Sequence, residues 1–161
     1  MTDVRVGIGF DSHPQAAGRA LFLAGARFDG EPGLAGHSDG DAVCHALADA
    51  LLGSVALGDV GQHFPDTDPG FEGIAGMDLL ARVVAMLAQL GFVPQRCDVT
   101  VLAERPAVAP RREEMRRNIA AALSVPVTEV SVKATRPEGL GLAGDGVGCL
   151  ATVVVAPASP P

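Results

Sequence analysis

Apolar residues alternate with other residues over Val4–Gly9, and a second apolar run, Leu21–Phe28, follows a connection containing Pro14 and Gly18; both read as strands. In Ser38-Asp39-Gly40-Asp41 an acid stands three residues after a serine, just before an Ala/Leu-rich run. That is the signature of a capping box, and it predicts a helix that runs to about Leu52 and stops at Gly53. From Gly58 to Gly76 several glycines, Pro65 and Pro69 separate Asp59, Asp66, Asp68 and Glu72, so an irregular and mobile loop is expected. Leu79, Leu80, Val83, Val84, Leu87 and Leu90 form a helical stripe within Asp78–Leu90, ended by Gly91. Cys97–Ala103 alternates as a strand. Pro110–Leu123 reads as a helix with Arg111, Arg112, Arg116 and Arg117 on a solvated face, and Glu129–Thr135 and Gly148–Ala156 read as strands.

This order favours an α+β fold: an α/β layer sandwich with a mixed four- to five-stranded sheet and helices on one face. No linker divides the chain, so residues 1–157 read as a single domain and 158–161 as a disordered tail. The uncovered sheet face still needs a partner, since Ala151–Ala156 is too apolar to stay wet. Packing against copies of the same chain is a direct solution.

Composition sharpens this in one region. The 161 residues suffice for one core, and no uninterrupted apolar run reaches the roughly 18 residues of a membrane span. Twelve basic against 19 acidic residues give a net charge of −7, which disfavours nucleic acid or an anionic membrane as partner. Between Phe28 and Ala81 there is no Lys or Arg, but there are ten acids: Asp29, Glu31, Asp39, Asp41, Asp49, Asp59, Asp66, Asp68, Glu72 and Asp78. His37, His45 and His63 lie in the same stretch, and His13 precedes it. Carboxylates without local cations repel one another unless a cation comes from outside, which points to a metal; a solvated acidic surface fits the composition equally well. Cys44, Cys97 and Cys149, odd in number and far apart, read as reduced core residues, and no secretory signal is visible at the start of the chain, so a cytoplasmic location is expected.

Asp11 and His13, at i and i+2 after the first strand, project from one side if the chain stays extended, and His45 lies on the first helix. One carboxylate and two imidazoles leave an open coordination position, which suits catalytic zinc or non-haem iron; hydrogen-bonded core histidines are the plainer alternative. Asp41 and Asp49, at i−4 and i+4 from His45, are candidates to hold its second ring nitrogen or to cap the helix. His37 and Ser38 precede the helix N-terminus, where free amides favour an anion such as phosphate. Asp66-Thr67-Asp68 could grip sugar hydroxyls or a metal, or serve a turn, and Val132-Lys133-Ala134-Thr135 leaves a strand toward Glu138, able to present a hydroxyl and a carboxylate to a phosphate–metal unit or to pass as a plain strand end. Gly7-Ile8-Gly9 lacks the third glycine of a dinucleotide fingerprint, and no G-x-S-x-G turn supports a Ser–His–Asp hydrolase.

Taken together, Arg5–His13, Gly36–Asp41 with His45-Ala46 and Asp49–Gly53, Leu57–Gly61, Phe64–Pro69, and Lys133–Thr135 with Glu138 closely resemble the 2-C-methyl-D-erythritol 2,4-cyclodiphosphate synthase family. The resemblance spans nearly the whole chain in order, and its H-S-D-G-D and F-P-D-T-D-P blocks are highly specific. It implies a homotrimer with active sites between subunits. The implied reaction closes 4-diphosphocytidyl-2-C-methyl-D-erythritol 2-phosphate into the cyclic diphosphate and expels CMP, a step of non-mevalonate isoprenoid synthesis. It further implies that Asp11, His13 and His45 bind Zn2+ and that Glu138 meets a Mg2+ or Mn2+ bridging the diphosphate. His37, Ser38 and Thr135 are the implied catalytic residues; Asp59, Gly61, Phe64, Pro65, Asp66, Thr67 and Asp68 would hold the erythritol, and Ala103 and Pro106 the cytosine. Ala107 departs from a usual Lys, Arg136 from a second phosphate-contacting Thr, Gly139 from a common Lys, Leu142 from a Phe and Asp145 from an Arg. Arg136 is therefore expected to grip phosphate in place of a hydroxyl bond. A two-His, one-carboxylate oxygenase and a non-catalytic metal- or nucleotide-binding module remain the rival readings.

Overall fold

The computed structural model describes residues 3–141 and 144–158. The first strand is longer than its apolar pattern: β1 spans Arg5–Ala16, so Asp11 and His13 lie within it rather than after it. The run Leu21–Phe28 is two short strands, β2 (Leu21–Leu23) and β3 (Ala26–Phe28), paired antiparallel across a turn in which Ala24 and Gly25 both have positive φ. A two-residue strand that the pattern did not predict, β4 (Gly33–Leu34), pairs with the end of β1. Helix α1 covers Ala42–Ser54, passing through Gly53. Its cap is Asp41, whose side chain accepts from the amides of Val43 and Cys44. Ser38 is not the cap: it lies four residues before the first helical residue, and its Oγ accepts from Gly40 N–H.

The expected irregular loop contains a four-residue helix, α2 (Val60–His63), capped by Asp59, and a 3-10 turn at Pro69–Phe71 capped by Asp68. Helix α3 (Gly76–Gln89) buries Leu79, Leu80, Val83 and Leu87, as its stripe requires, while Leu90 stays exposed. Strand β5 (Phe92–Leu102), helix α4 (Arg112–Leu123), β6 (Val130–Thr135) and β7 (Gly146–Pro157) complete the chain. Ala158, expected in the tail, donates its N–H to Gly91; residues 159–161 lie outside the described residues, as does Leu142.

The main sheet has the order β4-β1-β7-β5-β6, mixed as expected: β5 and β6 run parallel and the other pairs antiparallel. Helix α1 lies on β1 and β7 with α3 packed over it, and ten of its 13 residues are buried. Such a helix must be apolar nearly all round, which accounts for its Ala/Leu-rich composition. Its approach is set by two glycines, since a Cβ on Gly7 or Gly9 would overlap the carbonyl oxygen of Ala50 or Ala46. All three cysteines are free and buried in this core, and burial pushes the Cys97 thiol up to about 12. The opposite sheet face is bare: Val4, Val6, Ile8 and Phe10 on or beside β1 are 52–68% exposed, and Leu150 on β7 joins them. Among the described residues no helix is long and apolar enough to cross a membrane.

Candidate metal centre and substrate cavities

Residues of β1 with odd numbers face α1, so Asp11 and His13 continue the side of the strand on which Gly7 and Gly9 admit the helix. The close approach at Gly9 and Ala46 brings the neighbouring His45 over them. His13 Nε2 stands 2.7 Å from Asp11 Oδ2, His45 Nδ1 stands 3.2 Å from the same oxygen, and the two nitrogens are 3.1 Å apart. Three ligands at about 2.0–2.1 Å in a tetrahedron around zinc lie about 3.3 Å from one another. The triangle is thus close to the required size before any ion enters, and one face remains open. Burial alone would raise the Asp11 carboxyl, but hydrogen bonds with His13 and His45 outweigh it and hold the group well below the usual carboxylate range. For His13 burial lowers the pKa, and its contact with Asp11 more than reverses this.

The second ring nitrogen of His45 is held by neither expected aspartate. Ser38 Oγ meets His45 Nε2 at 3.0 Å and also accepts from Gly40 N–H at 3.1 Å. If His45 donates through Nε2, its Nδ1 is left as the acceptor facing Asp11 and His13, and the serine O–H remains free to donate outward. Asp41 is fully buried, and besides Val43 and Cys44 N–H it accepts from Ala24 and Gly25 N–H, which ties the β2–β3 turn to the start of α1. Asp49 accepts from Val60 N–H at 2.8 Å, so one turn beyond His45 the same helix anchors the segment that begins with Asp59. In the first helical turn of α1 the amides of Val43 and Cys44 are occupied by Asp41, so these two are not free for an anion.

His13, His37, Ser38 and His45 line a cavity of about 160 Å³ with Val60, Phe64, Phe71, Ile74 and Leu79. The loop that closes it is tied to the histidine segment: Gly73 N–H donates to His37 C=O, Asp39 N–H to Ile74 C=O, and Gly76 N–H to Asp39 Oδ2. Phe64 and Phe71 meet edge to face at 5.2 Å. Asp66, Thr67 and Asp68 are exposed beside this cavity's loop, and Asp68 accepts from Gly70 N–H as ordinary turn chemistry. A Cβ on Gly61 would lie 3.4 Å from Asp59 Oδ1.

The other candidates gather elsewhere. Ala103, Pro106, Thr135 and Arg136 line a second cavity of about 230 Å³ with Ala107, Val108 and Arg112. Glu138 is exposed with φ +52° and is not part of the Asp11–His13–His45 cluster of this chain. Strand register explains the separation. Ser12 pairs with Gly148, Gly148 with Leu102, and Leu102 with Thr135, so both groups stand at the same end of the sheet, three strands apart, or roughly 14 Å. Lys133, near the end of β6, is engaged with Asp98 on the bare sheet face. Sequence reasoning missed Arg19, whose guanidinium reaches the carbonyls of Gly36 and Ser38. An Arg in a Gly- and Ala-rich turn carries no local signal of such a contact.

A family model described as the YgbB family matches residues 4–156. The chain is 48% identical over 152 residues to the 2-C-methyl-D-erythritol 2,4-cyclodiphosphate synthase of Alkaliphilus metalliredigens (strain QYMF), covering 94% of this chain and 96% of that protein. It is 50% identical over 151 residues to the bifunctional enzyme IspD/IspF of Anaeromyxobacter sp. (strain Fw109-5), of which it spans only 39%. Among solved structures, the bifunctional IspDF of Campylobacter jejuni superposes with a TM-score of 0.92 at 36% identity, covering 98% of this chain and 43% of that one. A 2C-methyl-D-erythritol-2,4-cyclodiphosphate synthase in a CDP-bound form superposes with a TM-score of 0.87 at 32% identity, covering 94% of this chain and 99% of that one.

Proposed function

The chain belongs to the YgbB family, and on that footing we propose that it converts 4-diphosphocytidyl-2-C-methyl-D-erythritol 2-phosphate to 2-C-methyl-D-erythritol 2,4-cyclodiphosphate with release of CMP. This is a phosphorus–oxygen lyase reaction of non-mevalonate isoprenoid precursor synthesis, carried out by residues 1–157 as one domain. The observation that carries the reading is the preset Asp11–His13–His45 triangle at a cavity that also holds His37 and Ser38. An iron oxygenase built on the same three ligands has no support from the family.

The nucleophile is the substrate's own 2-phosphate. Its oxygen bonds to the β-phosphorus while the bond from that phosphorus to the bridging oxygen breaks, and CMP leaves with the electron pair. The protein needs no base for this step and contributes position and charge. Asp11, His13 and His45 would hold zinc, Glu138 would hold magnesium or manganese at the diphosphate, and the bound ions would supply positive charge against phosphate oxygens. With His45 donating through Nε2, Ser38 Oγ–H is free to donate to a phosphate oxygen, with His37 beside it. Thr135 and Arg136 hold the diphosphate. The methylerythritol lies between the apolar wall of Phe64 and Phe71 and the polar groups of Asp59, Gly61 and Pro65–Asp68, with cytosine against Ala103 and Pro106.

The substrate must then reach both cavities. A homotrimer in which the bare face of β1 and β7 is buried and a neighbour's Ala103–Glu138 segment is brought to the histidine cluster meets that need, and the exposed Val6, Ile8 and Phe10 support it. Three buried, unbridged cysteines suit a reducing cytoplasm. The test is incubation of the zinc-loaded protein with the diphosphocytidyl substrate and Mg2+, with sedimentation to establish the oligomer. Equal amounts of CMP and cyclic diphosphate are expected; intact trimer that yields neither would overturn the reading.

A further inference from the structure

The stretch from Phe28 to Ala81 has no cation of its own, yet a half-exposed guanidinium lies against it. Arg19, from the connection between β1 and β2, donates through Nη1 to Gly36 C=O at 2.7 Å and through Nη2 to Ser38 C=O. Its main chain is pinned as well: Gly33 N–H donates to Arg19 C=O at 2.9 Å, and a Cβ on Gly33 would crowd the Arg19 backbone and Cβ. The two gripped carbonyls flank His37. A planar fork with fixed donor spacing sets the orientation of both peptide groups together, which one flexible ammonium cannot do.

What those peptide groups carry is the end of the relay. Ser38 Oγ reaches His45 Nε2 at 3.0 Å, and the other nitrogen of that ring faces His13 Nε2 and Asp11 Oδ2. The same segment runs beside the ring of His13, since a Cβ on Gly36 would lie 3.3 Å from its Cε1. On the reading that Asp11, His13 and His45 take a metal, we infer that Arg19 is a positioning residue: through the main chain of Gly36–Ser38 it holds the Ser38 hydroxyl on His45 Nε2 and so keeps Nδ1 aimed at the ion. Arg19 touches neither substrate nor metal in this role.

The test is the zinc affinity of R19A, R19K, S38A and the R19A/S38A double variant, read by competition with a chromophoric chelator, alongside thermal denaturation of the metal-free proteins. Loss of an outer partner of a metal-bound histidine weakens binding by about 10–100-fold. S38A and R19A should each fall in that range, R19K should recover only part, and the double variant should bind no more weakly than S38A, because both changes interrupt one relay. A lower melting temperature for R19A with unchanged zinc affinity would reduce Arg19 to a fold-stabilising residue and overturn the inference. Effects that multiply in the double variant would overturn it too, since Arg19 would then act independently of Ser38. Wild-type protein that takes up no zinc would overturn the metal site itself.

Discussion

Gly9 lies directly against the backbone carbonyl of Ala46, with no room between them for a Cβ atom. This contact joins the strand that carries Asp11 and His13 to the helix that carries His45, so the metal triangle depends on the absence of a side chain. Gly9 is a site residue by virtue of packing, although it has no functional group.

Gly9→Ala should therefore damage stability and site together. Overpacking of a tight interface costs about 1–3 kcal/mol, which in a domain of this size lowers the melting temperature by several degrees, roughly 2–4 °C per kcal/mol. Zinc affinity should fall in parallel as α1 moves off β1. A variant that melts and binds zinc as the wild type does would contradict the packing argument.

Asp41→Asn probes a buried carboxylate that accepts four N–H groups, from Ala24, Gly25, Val43 and Cys44. An amide in its place turns two donors toward donors. An unsatisfied buried donor costs about 1–3 kcal/mol, so urea denaturation should register a loss of roughly 2–4 kcal/mol. Asp49→Asn, which disturbs one accepted bond from Val60, should cost less; the reverse order would show that the Asp41 junction is not the stronger one.

The pH dependence of metal binding follows from His13, whose pKa Asp11 raises above the ordinary 6.5 against the opposing effect of burial. In the metal-free fold this raised value contributes stability that is full below 6.5 and is lost as pH rises through the folded-state value. Metal uptake has the opposite sign, because the ligand nitrogen must be unprotonated. Zinc affinity should begin to fall while pH is still above 6.5 on the way down, with proton release on binding near neutrality. Calorimetry in buffers of differing ionisation enthalpy measures that release. Affinity that is flat from pH 8 to about 6 would refute the assignment of His13 as a ligand.

Arg136→Ala tests the residue standing where the family usually has threonine. Arg136 lines the cavity shared by Ala103, Pro106 and Thr135 and has no ion-pair partner among the described residues. A charge-assisted grip on phosphate contributes about 1.5–3 kcal/mol, so kcat/KM should drop by at least roughly tenfold, whereas Arg117→Ala on the exposed side of α4 should leave it unchanged. Equal kinetics for the two variants would dismiss Arg136 as a substrate contact.

Much of this protein is legible from local pattern, because local pattern is where local structure is decided. Period-two alternation marks β1 and β5, a 3.6-residue stripe marks α3, and Asp11 and His13 at i, i+2 must share a face in any extended segment. The sequence motifs likewise single out His45 and the H-S-D-G-D block. The tertiary structure alone decides which polar group answers which. Ser38 reads as the cap of α1 and instead serves His45; of the two roles open to Asp41, holding His45 or capping the helix, packing selects the cap; and Lys133 pairs with Asp98. Hydrogen-bond partners far apart in the chain, such as Arg19 and Ser38 or Asp41 and Gly25, are set by how closely α1 can approach β1 and by where the turns place their amides. Spacing along a sequence records which groups are available, and packing in three dimensions determines which of them meet.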